Sequence, residues 1–577
     1  MAPGARAVSW EAQAAKKRAD TLAKIRPEWR LSDRDLERAR EQRDLTGPFI
    51  QSFLLPDEVS IVSMESVDIV DSIRHGKLTA VQVTTAFCKT AAIAHQINNC
   101  LHEIFFDQAV ERARSLDAHF ADKKTVLGPL HGLPISLKDQ FHVKGVDTTM
   151  GYIGWIGGNL GIKDPSRTHK VESQITSELL ALGAVLYCKT SLPQTLLLGE
   201  TKNNIIGQTL NPRNQNLSCG GSSGGEGALQ ALRGSTLGVG TDIGGSVRIP
   251  SAFNGIFALK PTPERISYRD AANTNPGQNT YRSTVGFLST SLGGLDLILR
   301  SVLSTRPWLA DPAVVPIPFR QDVVDEYLAR ARPDGSAQPS ARPLKLGVLW
   351  NDGIVTPHPP VTRGIHMLAD AVRQAGHKAV DWNPPPQATA KRIHVSFLKA
   401  DGAHDISHQL ALSGEPLIPD LRDSFQLSDP IGLLEYQDLT LQGLDYESAY
   451  SDYWNSTAAD DGQVVDAVIM PVSPHAAVIP GRYYHTAYTE AINLMNYSAV
   501  VIPVTTADKA VDVPDPSFVP LGPEDTRNWE AYDAEIYDGG PVGLQIVARK
   551  FEEEKILAIA KIVHAALQAA KAKAGAI

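Results

Sequence analysis

Two serines of this chain lie in separate glycine-rich segments. Ser222 is flanked by Gly220, Gly221, Gly224 and Gly225, and the second serine, at position 246, ends the run Gly-Thr-Asp-Ile-Gly-Gly-Ser at 240–246. Glycine lets the backbone adopt positive φ and brings backbone N–H groups close to a ligand beside the serine. Such a surface suits an oxyanion. The pattern therefore predicts acyl transfer at a serine, and another part of the chain must supply a base.

Lys138 is the candidate base, because it ends an apolar run that begins at Pro134. Burial disfavours the charged form of an amine and lowers its pKa, and a neutral lysine can accept a proton from a serine hydroxyl. The alternative is a structural role, which is commoner for lysines in general: Lys138 would pair with Asp139 or extend to the surface.

Four motifs in this order and spacing resemble the amidase signature family: Ser-Leu-Lys-Asp at 136–139, Gly-Gly-Ser-Ser-Gly-Gly at 220–225, Gly-Thr-Asp-Ile-Gly-Gly-Ser at 240–246 and Lys-Pro-Thr at 260–262. Further segments are similar to fungal acetamidases and general amidases: 86–89, 128–140, 203–207, 211–214, 413–416 and 492–494. The resemblance covers nearly the whole chain. The resemblance is specific for the family but much less so for the substrate. Enzymes with the same fold act on many different amides because the residues that line their pockets differ.

The resemblance implies a Ser-cisSer-Lys triad. Ser246 would be the nucleophile, Ser222 the bridging serine after a cis peptide bond, and Lys138 the base. Ser222 would accept the proton of Ser246 while passing its own to neutral Lys138, and the reverse relay would protonate the leaving amine. The activity implied is hydrolysis of a small carboxamide to a carboxylate and ammonia, with carbamates, anilides and esters as alternative substrates.

The remaining site residues follow from the same motifs. The oxyanion hole is expected from the backbone N–H groups of Ile243, Gly244, Gly245 and Ser246. Asp242 and Arg248 are expected to brace this loop through charge-assisted hydrogen bonds. Candidate substrate-binding residues are Met150, Leu196, Leu197, Ser223 and Thr241. Ordinary core or turn roles are the alternative for each of these five.

Three other functions stay open. Gly-Gly-Ser-Ser-Gly at 220–224 also fits the nucleophile elbow of α/β-hydrolases, with Ser222 as nucleophile and Asp466 and His475 as downstream partners. The chain could instead be a partner-dependent amidotransferase subunit. Cys219 could act as a nucleophile, but no histidine accompanies it in a motif, which favours an inert thiol.

Composition narrows the class of partner. The net charge of -9 over 577 residues has no basic cluster typical of nucleic-acid binding, which favours a small neutral substrate. The four cysteines have no metal-ligand spacing, and no metal or cofactor is expected. No apolar stretch approaches the roughly 20 residues that span a membrane, and no secretory signal is recognisable. We expect a cytoplasmic protein, and a homodimer stays open.

The elements that must position these residues alternate after position 130 between short apolar runs and amphipathic helices. This alternation indicates an α/β body with a largely parallel or mixed sheet. The resemblance implies one large mixed sheet with helices on both faces and an N-terminal helical layer. We expect a helical region at 1–106, a catalytic domain at 107–577 with its signature core at about 130–265, and a proline-rich surface excursion at 307–343. Strands are predicted at 134–137, 184–188, 236–239, 344–349, 467–470, 500–504 and 542–547.

Overall fold

A computed structural model describes residues 8–158, 169–459 and 461–575. Eleven of the strands in these residues form one sheet, and the short strands β4 and β5 pair separately. The strands are β1 Leu101–Ile104, β2 Pro134–Lys138, β3 Val185–Thr190, β4 Lys202–Asn203, β5 Gly207–Gln208, β6 Leu237–Asp242, β7 Phe257–Lys260, β8 Thr284–Ser289, β9 Lys345–Val348, β10 Lys378–Asp381, β11 Ala467–Pro471, β12 Ser498–Thr506 and β13 Pro541–Ala548.

The large sheet is mixed, with the strand order β1-β3-β2-β6-β8-β7-β12-β13-β11-β9-β10. Strand β2 runs parallel to both β3 and β6, and β9 runs parallel to β10 and β11. The pairs between β6 and β11 are antiparallel. The parallel arrangement at β2 and β6 is what matters for the site, because it brings the carboxyl ends of these two strands together.

Helices cover both faces of this sheet. Every residue of β2, β3, β6, β8 and β13 is buried, although successive side chains of a strand point to opposite faces. The helices are α1 Trp10–Ala23, α2 Asp33–Glu41, α3 Pro48–Gln51, α4 Pro56–Ser63, α5 Ser66–Arg74, α6 Ala80–Asn98, α7 Phe106–Lys123, α8 Gln174–Ala181, α9 Gly224–Ala231, α10 Arg248–Asn254, α11 Leu292–Ser304, α12 Gln321–Leu328, α13 Pro359–Gln374, α14 Gln387–Leu398, α15 His404–Ala411, α16 Leu433–Ser456, α17 Ala487–Leu494, α18 Pro523–Glu530, α19 Ala534–Tyr537 and α20 Glu553–Gly575. The expected α/β class with one large mixed sheet is confirmed.

Residues 10–98 are mostly helical, and they pack against the sheet. Trp29 and Ile50 belong to the same buried cluster as Val185 and Tyr187 of β3. Strand β1, which lies within the region predicted to be helical, is an edge strand of the large sheet and pairs with β3. Residues 307–343 lie mostly at the surface, and they contain the helix α12, which packs on α20. None of the helices in the described ranges has the length and apolarity needed to cross a membrane.

Candidate active site

Three elements meet where the parallel strands β2 and β6 end. Lys138 is the last residue of β2, and β6 ends at Asp242, four residues before Ser246. Ser222 lies two residues before the start of α9, which packs against β2, β3 and β6. The topology thus brings together a lysine and two serines that are up to 108 positions apart.

Lys138 is fully buried and lies against the bridging serine. Its Nζ is 2.7 Å from Ser222 Oγ and 2.9 Å from Thr241 Oγ1. Burial lowers the pKa of Lys138 to about 7, although the carboxylates of Asp242 and Glu226 act in the opposite direction. The neighbouring Asp139 pairs with Lys189 at 2.8 Å, so the alternative of a simple Lys138–Asp139 pair is wrong.

The peptide bond between Gly221 and Ser222 is cis. The two serine segments are also joined directly, because the N–H of Ser223 donates to the carbonyl of Ser246 at 3.0 Å. Ser222 and Ser246 line the same inner cavity, which has about 380 Å³ of empty space. Ser246 is 7% exposed and Ser222 1% exposed. The serine expected to attack is therefore the more accessible of the two.

Two cavities meet at Ser246. Polar residues surround the inner cavity, although apolar atoms form most of its lining surface; these residues are Gln140, Ser222, Thr241, Asn273, Thr274, Asn275, Gln278 and Ser283. The outer cavity has about 990 Å³ of empty space and mixed walls, in which the apolar side chains of Leu198, Ile249, Val395, Leu421 and Phe425 lie beside the charged Lys399, Asp420 and Glu490. Leu196, Leu197, Ile243, Ser246 and Leu398 line both cavities. The loop that carries Ser246 thus lies between an inner cavity that contains Ser222 and an outer cavity of mixed polarity.

Asp242 and Arg248 form a fully buried ion pair under this loop. Arg248 Nε donates to Asp242 Oδ2 at 3.1 Å and Nη2 donates to Oδ1 at 3.0 Å. Burial alone would raise the pKa of the Asp242 carboxyl, but the Arg248 charge outweighs it and holds that pKa well below its usual range. Asn493 donates to the same carboxylate at 2.9 Å. The same carboxylate accepts a hydrogen bond from the N–H of Val247 at 3.1 Å, so the ion pair is bonded to the loop itself.

The predicted oxyanion donors are not equivalent. The N–H of Gly245 donates to Asp242 Oδ1 at 2.9 Å, so it is already occupied and departs from the expected set. The N–H groups of Ile243, Gly244 and Ser246 have no acceptor within the part of the chain that the structure describes. Ile243, Gly244 and Ser246 line the outer cavity. Three backbone donors are therefore left for an oxyanion beside Ser246.

The five substrate-binding candidates divide into two groups. Leu196 and Leu197 line both cavities, and Thr241 lines the inner one while donating to Gln140 Oε1. Ser223 lines neither cavity and its hydroxyl donates instead to the carbonyl of Thr241. Met150 also lines neither cavity, since it packs behind Leu196 with Tyr152, Trp155 and Leu192. Ser223 and Met150 therefore lie outside both cavities, next to residues that form the cavity walls.

Sequence reasoning missed residues that come from distant segments. Glu226 is buried next to Lys138 and accepts hydrogen bonds from Ser136 at 2.6 Å and Thr190 at 2.9 Å. Burial raises the pKa of Glu226 to about 7. Its position in the Ser222 segment was the available signal. His394 and Thr489, which contact the oxyanion loop, lie in no motif that could have revealed them.

The rival nucleophiles lack partners in the required geometry. Asp466 binds Arg330 at 3.1 Å, and His475 Nδ1 lies 2.6 Å from Ser473 Oγ, so neither contacts Ser222. The Cys219 thiol is buried and donates to the carbonyl of Thr209, and burial raises its pKa well above the usual range. The described residues contain no group of three or more histidine, cysteine or acidic side chains that could hold a metal ion.

Similar proteins identify the family of this chain. The family model for amidases matches residues 82–557. The chain belongs to the amidase family. It is 41% identical over 556 residues to an acetamidase of Emericella nidulans, which covers 96% of this chain and 98% of the relative. An "Amidase 1" of Gibberella moniliformis is 38% identical over 514 residues, covering 88% of this chain and 94% of that amidase.

Solved structures of amidases share the fold. A fatty acid amide hydrolase superposes with a TM-score of 0.87 at 28% identity, over 97% of this chain and 95% of the other. A peptide amidase complexed with the inhibitor chymostatin superposes with a TM-score of 0.66 at 20% identity, over 87% and 97% of the two chains. The amidase fold therefore extends over nearly the whole chain.

Proposed function

We propose that this amidase hydrolyses carboxamides through an acyl enzyme on Ser246, with Ser222 as the proton relay and Lys138 as the base. One observation carries the proposal. A fully buried lysine whose pKa is lowered to about 7 lies 2.7 Å from Ser222, and Ser222 lines the same cavity as Ser246. A lysine with an ordinary pKa would be protonated at neutral pH and could not accept the proton.

The reaction then follows from the positions of these groups. Ser246 attacks the amide carbon while its proton passes to Ser222 and the Ser222 proton passes to neutral Lys138. The oxygen of the tetrahedral intermediate is stabilised by the free backbone donors at 243, 244 and 246. The relay then runs backwards and protonates the leaving nitrogen, which departs as ammonia. Water, activated by the same relay, releases the carboxylate.

The two cavities assign the two ends of the substrate. Ser222 delivers the proton and lines only the inner cavity, so the leaving nitrogen lies on the inner side. The acyl group then extends toward the outer cavity, along Leu197 and Leu198. Acetamide-like substrates are favoured first, since the relatives from Emericella nidulans and Aspergillus oryzae, each 41% identical to this chain, are named acetamidases.

A second candidate is an amidase for longer acyl chains. The outer cavity contains more apolar side chains, among them Leu198, Leu421 and Phe425, than an acetyl group can contact, and the structurally similar fatty acid amide hydrolase acts on such amides by its name. A panel of acetamide, hexanamide, benzamide, acetanilide, a carbamate and an ester separates these possibilities. Leu198→Trp should lower kcat/KM for hexanamide much more than for acetamide, because Leu198 lines only the outer cavity.

The mechanism is tested by locating the nucleophile. A fluorophosphonate should label Ser246, and Ser246→Ala should abolish both labelling and amide hydrolysis. An adduct on Ser222 would support the α/β-hydrolase alternative instead. Hydrolysis by the purified single chain would exclude a partner-dependent amidotransferase subunit.

The four buried, unpaired cysteines fit the reducing cytoplasm expected from the sequence.

A further inference from the structure

Two side chains from outside the sequence motifs hold the carbonyls of the oxyanion loop. The ring Nε2 of His394, on α14, lies 2.7 Å from the carbonyl oxygen of Ile243. The hydroxyl of Thr489, on α17, donates to the carbonyl oxygen of Gly244 at 2.7 Å. Helices α14 and α17 pack against each other. Two consecutive peptide groups of the loop are therefore held by neighbouring helices that lie about 150 and 245 residues further along the chain.

Peptide geometry converts these contacts into an orientation. The carbonyl of one residue and the N–H of the next lie in one plane and point in opposite directions in a trans peptide. The bond to His394 therefore directs the N–H of Gly244 away from α14. Gly244 lines the outer cavity and its N–H is one of the three free donors. Likewise, the bond to Thr489 directs the N–H of Gly245 to Asp242.

The protonation of His394 is set by its partner. A carbonyl oxygen only accepts hydrogen bonds, so Nε2 carries a proton. Burial lowers the pKa of His394, with Glu490 opposing this effect, and the ring is fully buried. Its Nδ1 lies 3.8 Å from Glu490 Oε1 and has no hydrogen-bond partner among the described residues. The tautomer with the proton on Nδ1 would place two lone pairs against each other at Ile243.

We propose that His394, together with Thr489, is a positioning residue that presents the Gly244 N–H to the oxyanion. This inference rests on the proposed function of Ser246. His394 touches neither the substrate nor the reacting atoms, and it acts only through the peptide between Ile243 and Gly244. Without the Nε2–H donor that peptide can rotate, and its carbonyl, instead of its N–H, can face the developing negative charge.

The test compares three variants with one matched control. His394→Phe keeps an aromatic ring but removes the donor, His394→Gln supplies an N–H near the same position, and Thr489→Val removes the hydroxyl at constant shape. The control is His358→Phe. His358 is also fully buried and its Nε2 lies 2.7 Å from a backbone carbonyl, that of Asn528, outside the oxyanion loop.

The main readout is the rate constant for fluorophosphonate labelling of Ser246, because the phosphonyl oxygen occupies the oxyanion hole whatever the natural substrate is. We expect His394→Phe to lower this rate and kcat for a carboxamide by about 10- to 100-fold with KM little changed. His394→Gln should recover most of the loss, Thr489→Val should be impaired in the same way, and His358→Phe should label at the wild-type rate despite lower thermal stability.

The two proposals fail in different ways. Wild-type labelling on a residue other than Ser246 would contradict the proposed function. Wild-type labelling on Ser246 with an unchanged rate in folded His394→Phe would overturn the positioning role and leave the function intact. If His394→Phe does not fold, the other two variants test the positioning role. Labelling of Thr489→Val at the wild-type rate would overturn that role. A labelling rate of His394→Gln as low as that of Ser246→Ala would also overturn it.

Discussion

Replacement of Lys138 by methionine removes the proposed base while keeping a side chain of similar length. With its pKa lowered from 10.5 to about 7, about half of the Lys138 side chains are neutral at pH 7, against roughly 1 in 3,000 for an unperturbed lysine. Folding thus raises the concentration of the active base more than a thousandfold. We expect Lys138→Met to lower kcat/KM by about 10²- to 10⁴-fold, the usual contribution of general acid–base catalysis.

The assay is ammonia release from acetamide, or from the best amide of the panel, between pH 5.5 and 9.5. For the wild type, kcat/KM should rise tenfold per pH unit below about pH 7 and level off above it, because the neutral amine is required. The variant should lack this inflection. A wild-type profile that still rises steeply at pH 9, or a variant that keeps both the inflection and full activity, would refute the lysine-base reasoning.

The same shift predicts a stability effect of definite sign. A buried base with a lowered pKa destabilises the folded state, fully below pH 7 and progressively less as the pH rises toward 10.5. A shift from 10.5 to about 7 corresponds to about 5 kcal/mol. Denaturant unfolding should therefore find Lys138→Met more stable than the wild type below pH 7, by at most this amount, with the difference shrinking as the pH rises toward 10.5. A constant difference across this range would contradict the lowered pKa.

Three further predictions concern the oxyanion loop. Gly245→Ala should lower both the melting temperature and the activity, because Gly245 has φ +124° and an added Cβ would lie 2.5 Å from Thr489 Oγ1. Gly244→Ala should keep the fold, because its Cβ would lie no closer than 3.5 Å to any neighbour. Equal melting temperatures of the two variants would contradict this prediction. Arg248→Met should destabilise the protein by about 3–5 kcal/mol in denaturant titration, since it leaves the Asp242 carboxylate buried without its partner. Because the pKa of Asp242 is lowered, the folding stability that its carboxylate contributes should be fully present above about pH 4 and be lost as the pH falls further. Arg248→Met should lack most of this acid dependence of stability.

Much of the fold was predictable because its central strands are fully buried. Largely apolar runs predicted strands at 134–137 and 467–470, and the structure confirms strands at Pro134–Lys138 and Ala467–Pro471. Strand Leu101–Ile104 was missed because it contains His102 and Glu103, which are unusual in a buried strand. Glu103 is tolerated there because Lys17, from the N-terminal layer, pairs with it. Only the tertiary structure supplies that partner.

The helix Leu433–Ser456 was missed for a different reason. Few of its side chains are buried, among them Leu439, Tyr446 and Tyr450, while Leu434 and Leu441 are exposed. Helices are recognised in a sequence by an apolar stripe that faces the core. Here apolar residues lie on both the buried and the exposed sides, so the periodic signal is weak.

The sequence by itself determined which chemistry this amidase can perform. Two glycine-flanked serines and a lysine after an apolar run indicated the reacting groups that we propose, since side-chain chemistry and local backbone freedom are properties of short segments. The tertiary structure decided whether those groups can act. The lowered pKa of Lys138 comes from burial by many distant residues, and the orientation of the Gly244 N–H comes from a histidine 150 positions away. The cavity walls likewise combine side chains from segments as far apart as Gln140 and Leu398. Such effects depend on distances in space, which the order of residues along the chain does not specify.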